Sequence, residues 1–260
     1  MNLIQETEKN FANFVGCKHC ILVTNGTAAL HASYLVCNLE YEAVIVPSYT
    51  YYATSNMLLA CNAIPVFADI NPKTYLIDIK DALRKRPSEC STIVVVNLFG
   101  KELPKKDIEM LKQQFCHVII DSAQCVKSGV NYGDIQTFSF YKTKNISTFE
   151  GGAICTNNDK LAKQLRIICN QGEDGKYNTV RLGFNFRMSE PTALWLNHQI
   201  MYHQKWGESE LGKWGPKDGH YPRVVYEQPL YKDLGLYYKW RGKCPNAEAL
   251  AKKVREGKFK

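Results

Sequence analysis

The sequence predicts an α/β fold with a mainly parallel sheet, helices on both faces and a reduced C-terminal segment. Three observations carry this. Seven short apolar runs alternate with helical patterns through the first two hundred residues or so, the signature of strands joined by crossover helices. A chain of 260 residues with 45% hydrophobic content is long enough to bury a full core. Two of the runs end on chemistry-bearing residues, Gly26-Thr27 and Asp121, and such sheets bind ligands at the carboxyl ends of their strands.

Residues 3–15 open the chain as an amphipathic helix whose apolar set is Ile4, Phe11, Phe14 and Val15. The strand candidates are 20–24, 43–46, 64–68, 92–96, 117–121, 136–140 and 152–156. Between and after them, helical patterns cover 27–37, 52–60, 77–85, 105–115, 158–170 and 189–204. Beyond about residue 205 the pattern degrades. The Gly- and charge-rich stretch 206–219 reads as a linker or loop. A short aromatic, basic segment follows, and Pro245 to Val254 reads as a last helix with Pro and Asn at its start. The expected division is a large unit, 1–205, and a shortened small unit, 206–260.

Composition narrows the function classes. Charged content is 22% and the net charge is +8, ordinary for a globular protein. No apolar run has the length of a membrane span, and the N-terminal residues show no secretory leader, so the expected place is the cytoplasm, without membrane attachment. The ten cysteines are scattered, most inside apolar segments, and read as reduced, buried thiols. Cys17-Lys-His-Cys20 has no second pair at zinc-finger spacing, so no metal site is expected. Residues 206–260 hold twelve Lys/Arg against seven Asp/Glu, a net +5, and three of the four tryptophans. With no nucleic-acid motif, that charge reads as a solvated surface or as attraction for an anionic substrate such as a nucleotide diphosphate.

The residues that carry chemistry stand in a fixed order. Asn25-Gly-Thr27 opens a helix and offers backbone N–H groups to an anion. Asp121 closes a strand, and Lys144 lies in a polar turn bounded by Phe138-Ser-Phe140 and Glu150-Gly-Gly152. A phosphate-binding turn, a strand-end acid and a lysine are what a pyridoxal 5′-phosphate (PLP) enzyme needs: the lysine forms the Schiff base, the acid keeps the pyridine nitrogen protonated and the helix start holds the phosphate. Lys142 competes with Lys144 for the first role. Gln124 is placed to bond the phenolic oxygen of such a cofactor and Ser139 to donate to its phosphate. Tyr51 and Tyr52 offer an aromatic face to a flat ring. Each has a bland alternative: a surface lysine, a helix cap, local polar bonding or a packed aromatic cluster.

On these segments the chain resembles the DegT/DnrJ/EryC1/StrS family of PLP-dependent nucleotide-sugar aminotransferases. The matching stretches are Thr24 to Leu30, Pro47 to Thr54, Ala63 to Ile70, Asn97 to Gly100, Ile120 to Gln124, Phe138 to Gly152 and Gly183 to Met188, in family order. The resemblance implies the PLP-dependent transferase fold of type I. It also implies transfer of an amino group, with glutamate as donor, to a nucleotide-linked keto-deoxy sugar. It assigns the Schiff base to Lys144, the pyridinium contact to Asp121, the phenolic-oxygen contact to Gln124, stacking to Tyr51, and phosphate binding to Gly26, Thr27 and Ser139. Asn185 matches an asparagine that reaches the phosphate of the neighbouring subunit, which implies a homodimer with shared active sites. The chain departs from the family in a shortened C-terminal part, and Phe149 stands where a glycine is usual. Those departures raise a second reading, a shortened relative that binds PLP or pairs with a partner subunit without turning over a sugar.

Overall fold

Seven five-residue strands build one sheet in the computed structural model, which describes residues 2–129, 132–206 and 219–258. They are β1 (His19–Val23), β2 (Ala43–Pro47), β3 (Ile64–Ala68), β4 (Thr92–Val96), β5 (His117–Asp121), β6 (Ile135–Ser139) and β7 (Gly152–Thr156). The order across the sheet is β1-β7-β6-β5-β4-β2-β3. Strands β2 to β6 pair in parallel, whereas β7 runs antiparallel to both β1 and β6. The sheet is therefore mainly parallel, with one reversed strand. The reversal goes with the connection from β6 to β7, residues 140–151, which carries no α-helix to bring the chain back for a parallel crossover.

The strands are buried on both faces, and alternate residues feed two cores. On β1, Cys20 and Leu22 join Phe11, Phe14 and Phe138 on one side, while Ile21 and Val23 join the larger cluster on the other. Helices α1 (Leu3–Val15), α2 (Gly26–Val36), α3 (Ala53–Ala60), α4 (Ile79–Lys85), α5 (Lys105–Gln114), α6 (Asp159–Cys169) and α7 (Glu190–Trp206) cover the sheet. Their starts follow side-chain caps. Asn2, Asn25, Asp78 and Asn158 each accept from the first turn of α1, α2, α4 and α6 respectively. A charge pair ties α1 to α6 and β1: Arg166 grips both Glu8 oxygens at 3.1 and 2.8 Å, and the Leu22 amide donates to the same carboxylate at 3.1 Å.

The C-terminal residues pack on the far edge of the sheet. Three short helices lie here, α8 (Pro229–Asp233), α9 (Leu236–Trp240) and α10 (Pro245–Arg255). Tyr226, Tyr231 and Trp240 set their rings edge-on around Phe67 of β3. Helix α10 has no side-chain cap of its own; the buried Asp69 carboxylate takes its first amides instead, from Asn246 at 3.0 Å and Ala247 at 2.9 Å. A negative charge at a helix N-terminus is favourable. The stretch read from the sequence as a Gly-rich linker falls almost entirely on 207–218, outside the described residues. Among the described residues no helix is long and apolar enough to cross a membrane, and no cluster of three or more His, Cys, Asp or Glu is arranged for a metal ion.

Candidate active site

A cavity of about 550 Å³ opens at the carboxyl ends of β4, β5 and β6. Seven of the eight residues to which the family resemblance assigned a role line it: Gly26, Thr27, Tyr51, Asp121, Gln124, Ser139 and Lys144. They arrive from α2, the turn before α3, the end of β5, the end of β6 and the β6–β7 connection. The eighth, Asn185, does not line this cavity; it pairs with Asn170 on the segment that follows α6.

One wall is the start of α2. The Asn25 side chain satisfies the Ala28 amide at 2.8 Å, while the amides of Gly26 and Thr27 belong to the first turn, which has no intrahelical acceptor. Ser139 stands against this turn. A methyl group on Gly26 would come within 2.7 Å of the Ser139 Cβ, so glycine is what lets the hydroxyl and the helix start share one small space. Gly152 is needed for the same reason one layer back, because a Cβ there would meet the Asn25 backbone at 2.5 Å. The resulting pocket of N–H and O–H donors at a helix start suits a phosphate.

Asp121 is buried, at 4% exposure. Its Oδ2 accepts from the Thr54 hydroxyl at 2.9 Å and its Oδ1 from the Ala123 amide at 3.0 Å. Burial pushes the carboxyl above its ordinary range, against the pull of those two donors and of the Lys144 charge. Lys144 is half-buried, in a turn closed by the hydrogen bond that its backbone N–H donates to the Tyr141 carbonyl at 2.8 Å. Burial lowers its pKa and the Asp121 charge opposes the shift. Lys142, the alternative, is exposed, lies over the Tyr141 ring at 5.8 Å and does not line the cavity.

Gln124 is held at both ends, by the Phe99 amide at 2.9 Å and the Tyr221 hydroxyl at 2.5 Å. Tyr51 lines the cavity and packs on Tyr52 at 4.2 Å between centroids, while Tyr52 itself stays outside it. Sequence reasoning gave no site role to Thr50, Thr54, His220 and Tyr221, although the first two lie in the family-like stretch Pro47 to Thr54 and the last two open another, His220-Tyr-Pro222. Thr54 acts through Asp121, and the other three line the cavity. The signal available for the last two was an aromatic pair just after the Gly-rich stretch.

The donor set fits PLP. A buried acid able to face a ring N–H, a glycine-lined donor pocket for a phosphate, and an amine held toward its neutral form meet in a single cavity.

Comparisons with known proteins agree with this geometry. The model of the DegT/DnrJ/EryC1/StrS aminotransferase family matches residues 2–210. The GDP-perosamine synthase of Caulobacter vibrioides is 38% identical over 201 residues, which cover 73% of this chain and 54% of that protein. The UDP-2-acetamido-2-deoxy-3-oxo-D-glucuronate aminotransferase of Pseudomonas aeruginosa is 32% identical, covering 71% and 54% respectively. The matches thus span about half the length of these relatives. The fold is that of a solved DegT DnrJ EryC1 StrS aminotransferase from Brucella abortus, with a TM-score of 0.82, 23% identity, and coverage of 96% of this chain and 83% of that one. The family match over residues 2–210, with five of the seven ordered motifs reaching one cavity, shows that the chain belongs to the DegT/DnrJ/EryC1/StrS aminotransferase family.

Proposed function

We propose that this chain is a PLP-dependent aminotransferase that moves an amino group from glutamate to a nucleotide-linked keto-deoxy sugar. The observation that carries the reading is the convergence of Asp121, Lys144 and the start of α2 on one cavity. Relatives named for amino sugars linked to GDP, UDP and dTDP support the substrate class. When bound, PLP supplies the electron sink that lets an amino group pass between two carbon skeletons.

The chain's own residues have separable tasks in this reading. Asp121 faces the ring nitrogen and keeps its proton in place. Gly26, Thr27 and Ser139 hold the phosphate and so fix the register of the ring in the cavity. Gln124 meets the phenolic oxygen, and Tyr51 covers a face. Lys144 supplies an amine whose burial favours the neutral form, as both attachment to a carbonyl carbon and proton carriage require. Residues 1–205 form the cofactor-binding unit and 206–260 the shortened one.

The same reading makes the active unit a homodimer with shared sites. Asn185 does not line the cavity described above, and exposed apolar side chains flank it in the sequence: Tyr177, Val180 and Leu182 before it, Leu194, Trp195 and Met201 after it on α7. Exposed apolar side chains of this kind are candidates for burial between subunits. Sedimentation at micromolar concentration tests this; a monomer that binds PLP tightly would rule it out. Residence in the cytoplasm belongs to the proposal too, supported by ten cysteines that all stand as free thiols.

A second reading is a PLP-binding subunit without sugar turnover. An absorbance titration with PLP, followed by glutamate, separates the two. A bound-cofactor band that glutamate abolishes supports the aminotransferase. A band that survives glutamate supports the non-catalytic subunit, and no band at all sinks both.

A further inference from the structure

The carboxamide of Gln124 has a fixed orientation. Its Oε1 accepts from the Phe99 backbone amide, so its Nε2 is the atom facing the Tyr221 hydroxyl at 2.5 Å. A carboxamide nitrogen only donates. The phenol oxygen is therefore the acceptor, and its own hydrogen points away from Gln124. Among the described residues no group takes that hydrogen, while Tyr221 lines the cavity with Asp121 and Gln124. Burial, aided by the Asp121 charge, raises the phenol above its usual pKa. It remains a donor at neutral pH.

The ring has little freedom. It stacks on Phe99 at 5.9 Å and 23°, and stands edge-on to Tyr49 at 5.7 Å. The Tyr49 hydroxyl donates to the His220 carbonyl at 2.9 Å and pins the turn from which Tyr221 projects. The backbone of Tyr221 has φ +59°, a left-handed value that a bulky residue adopts only where its surroundings impose it, commonly at ligand sites.

We propose that Tyr221 is a cofactor-binding residue whose phenol donates to the anionic ring oxygen of the pyridine cofactor, sharing that oxygen with Gln124. The inference rests on the PLP reading above. It is chosen over a substrate contact because the two donors are bonded to each other and so present their free hydrogens side by side. One acceptor satisfies both. The residue comes from the C-terminal segment, so the shortened unit contributes directly to the cofactor site.

A donor on that oxygen stabilises the form in which the oxygen carries its full charge. It lowers the pH at which the visible absorbance of the lysine-bound cofactor changes. The experiment is a spectral pH titration of the loaded protein and of loaded Tyr221→Phe, a substitution that keeps the ring contacts. Loss of one hydrogen bond to a charged oxygen should raise the midpoint by about one pH unit. An unmoved midpoint in a variant that still binds PLP overturns the inference and leaves the PLP reading standing. Absence of a bound band in the unsubstituted protein removes the PLP reading, and this inference with it. Where Tyr221→Phe fails to fold, 3-fluorotyrosine placed at position 221 gives a stronger donor. The midpoint should then fall, and a midpoint that stays or rises overturns the inference.

Discussion

The Thr54 hydroxyl donates to Asp121 Oδ2 at 2.9 Å, and Thr50 Oγ1 lies 3.2 Å from the same hydroxyl. A hydroxyl has one hydrogen and an ionised carboxylate only accepts. The hydrogens therefore run in one direction, from Thr50 at the cavity wall through Thr54 to Asp121. Thr54→Val should cost about 1–3 kcal/mol in urea unfolding, because a buried carboxylate loses a donor. Thr54→Ser should recover most of it. A valine variant as stable as its parent would show that the bond contributes nothing.

Lys144 should react as a neutral amine at lower pH than a surface lysine. Burial lowers its pKa from the ordinary 10.5, so its unprotonated fraction appears earlier as pH rises. In the cofactor-free protein, modification by an amine-reactive reagent should reach half its extent at lower pH for Lys144 than for the exposed Lys142. Borohydride reduction of the PLP-loaded protein, followed by peptide mapping, should place the pyridoxyl group on Lys144. Its recovery on Lys142 would overturn the assignment.

Phe149 has φ +66° and a ring that is 72% exposed. A left-handed backbone costs a non-glycine residue about 1–2 kcal/mol, and an exposed ring returns little by burial. Glycine gives back about 0.4–1 kcal/mol through the freer unfolded chain. Phe149→Gly should therefore stabilise the protein by about 0.5–1 kcal/mol. A lower urea midpoint would mean the ring makes a contact that matters, for example with a second subunit.

Two glycines of the phosphate wall should respond differently to alanine. At Gly26 the added methyl meets the Ser139 side chain at 2.7 Å, but at Gly152 it meets the Asn25 backbone at 2.5 Å. The atom met at Gly26 is the Ser139 Cβ, which its own backbone fixes, so both methyls need a shift, and the one at Gly152 is the closer and falls directly on main-chain atoms. Gly26→Ala should leave a folded protein with weakened PLP affinity. Gly152→Ala should lower the melting temperature more, since it displaces the start of α2. The reverse ranking in thermal melts would contradict the placement of the two residues.

The sequence made the strands legible to within a residue. The runs 64–68, 92–96, 117–121 and 152–156 coincide with β3, β4, β5 and β7; 20–24 and 136–140 are offset by one, and 43–46 stops one residue short of the end of β2. Helix starts were less sharp, because Asp78 and Asn158 proved to be caps and not first-turn residues. Strand direction was not read at β7, since period and composition do not encode polarity; the missing helix between β6 and β7 was the usable clue. Lys144, Asp121 and the α2 start were legible because each sits at the end of a local pattern. Tyr221 was not. Its partner Gln124 is 97 positions away, and nothing in a local window announces a contact of that range. The short helices α8 and α9 also escaped, because a distant contact anchors them, Tyr231 and Trp240 against Phe67, and not a periodic pattern in a local window.

The reversed strand has a consequence for the order of assembly. Antiparallel pairing of Ser139 with Gly152 closes the connection that holds Lys144, and bonds between Phe140 and Gly151 and between Lys142 and Phe149 zip it further. The lysine turn is thus a local structure, and closing a loop of that length is fast. Tyr221 reaches Gln124 only after the intervening chain has been organised, and such distant closures come late. During folding the amine should be in place before the aromatic wall that faces it. For an interval the nascent cavity stands open on the C-terminal side, and a cofactor could enter a half-built site that the last segment then seals.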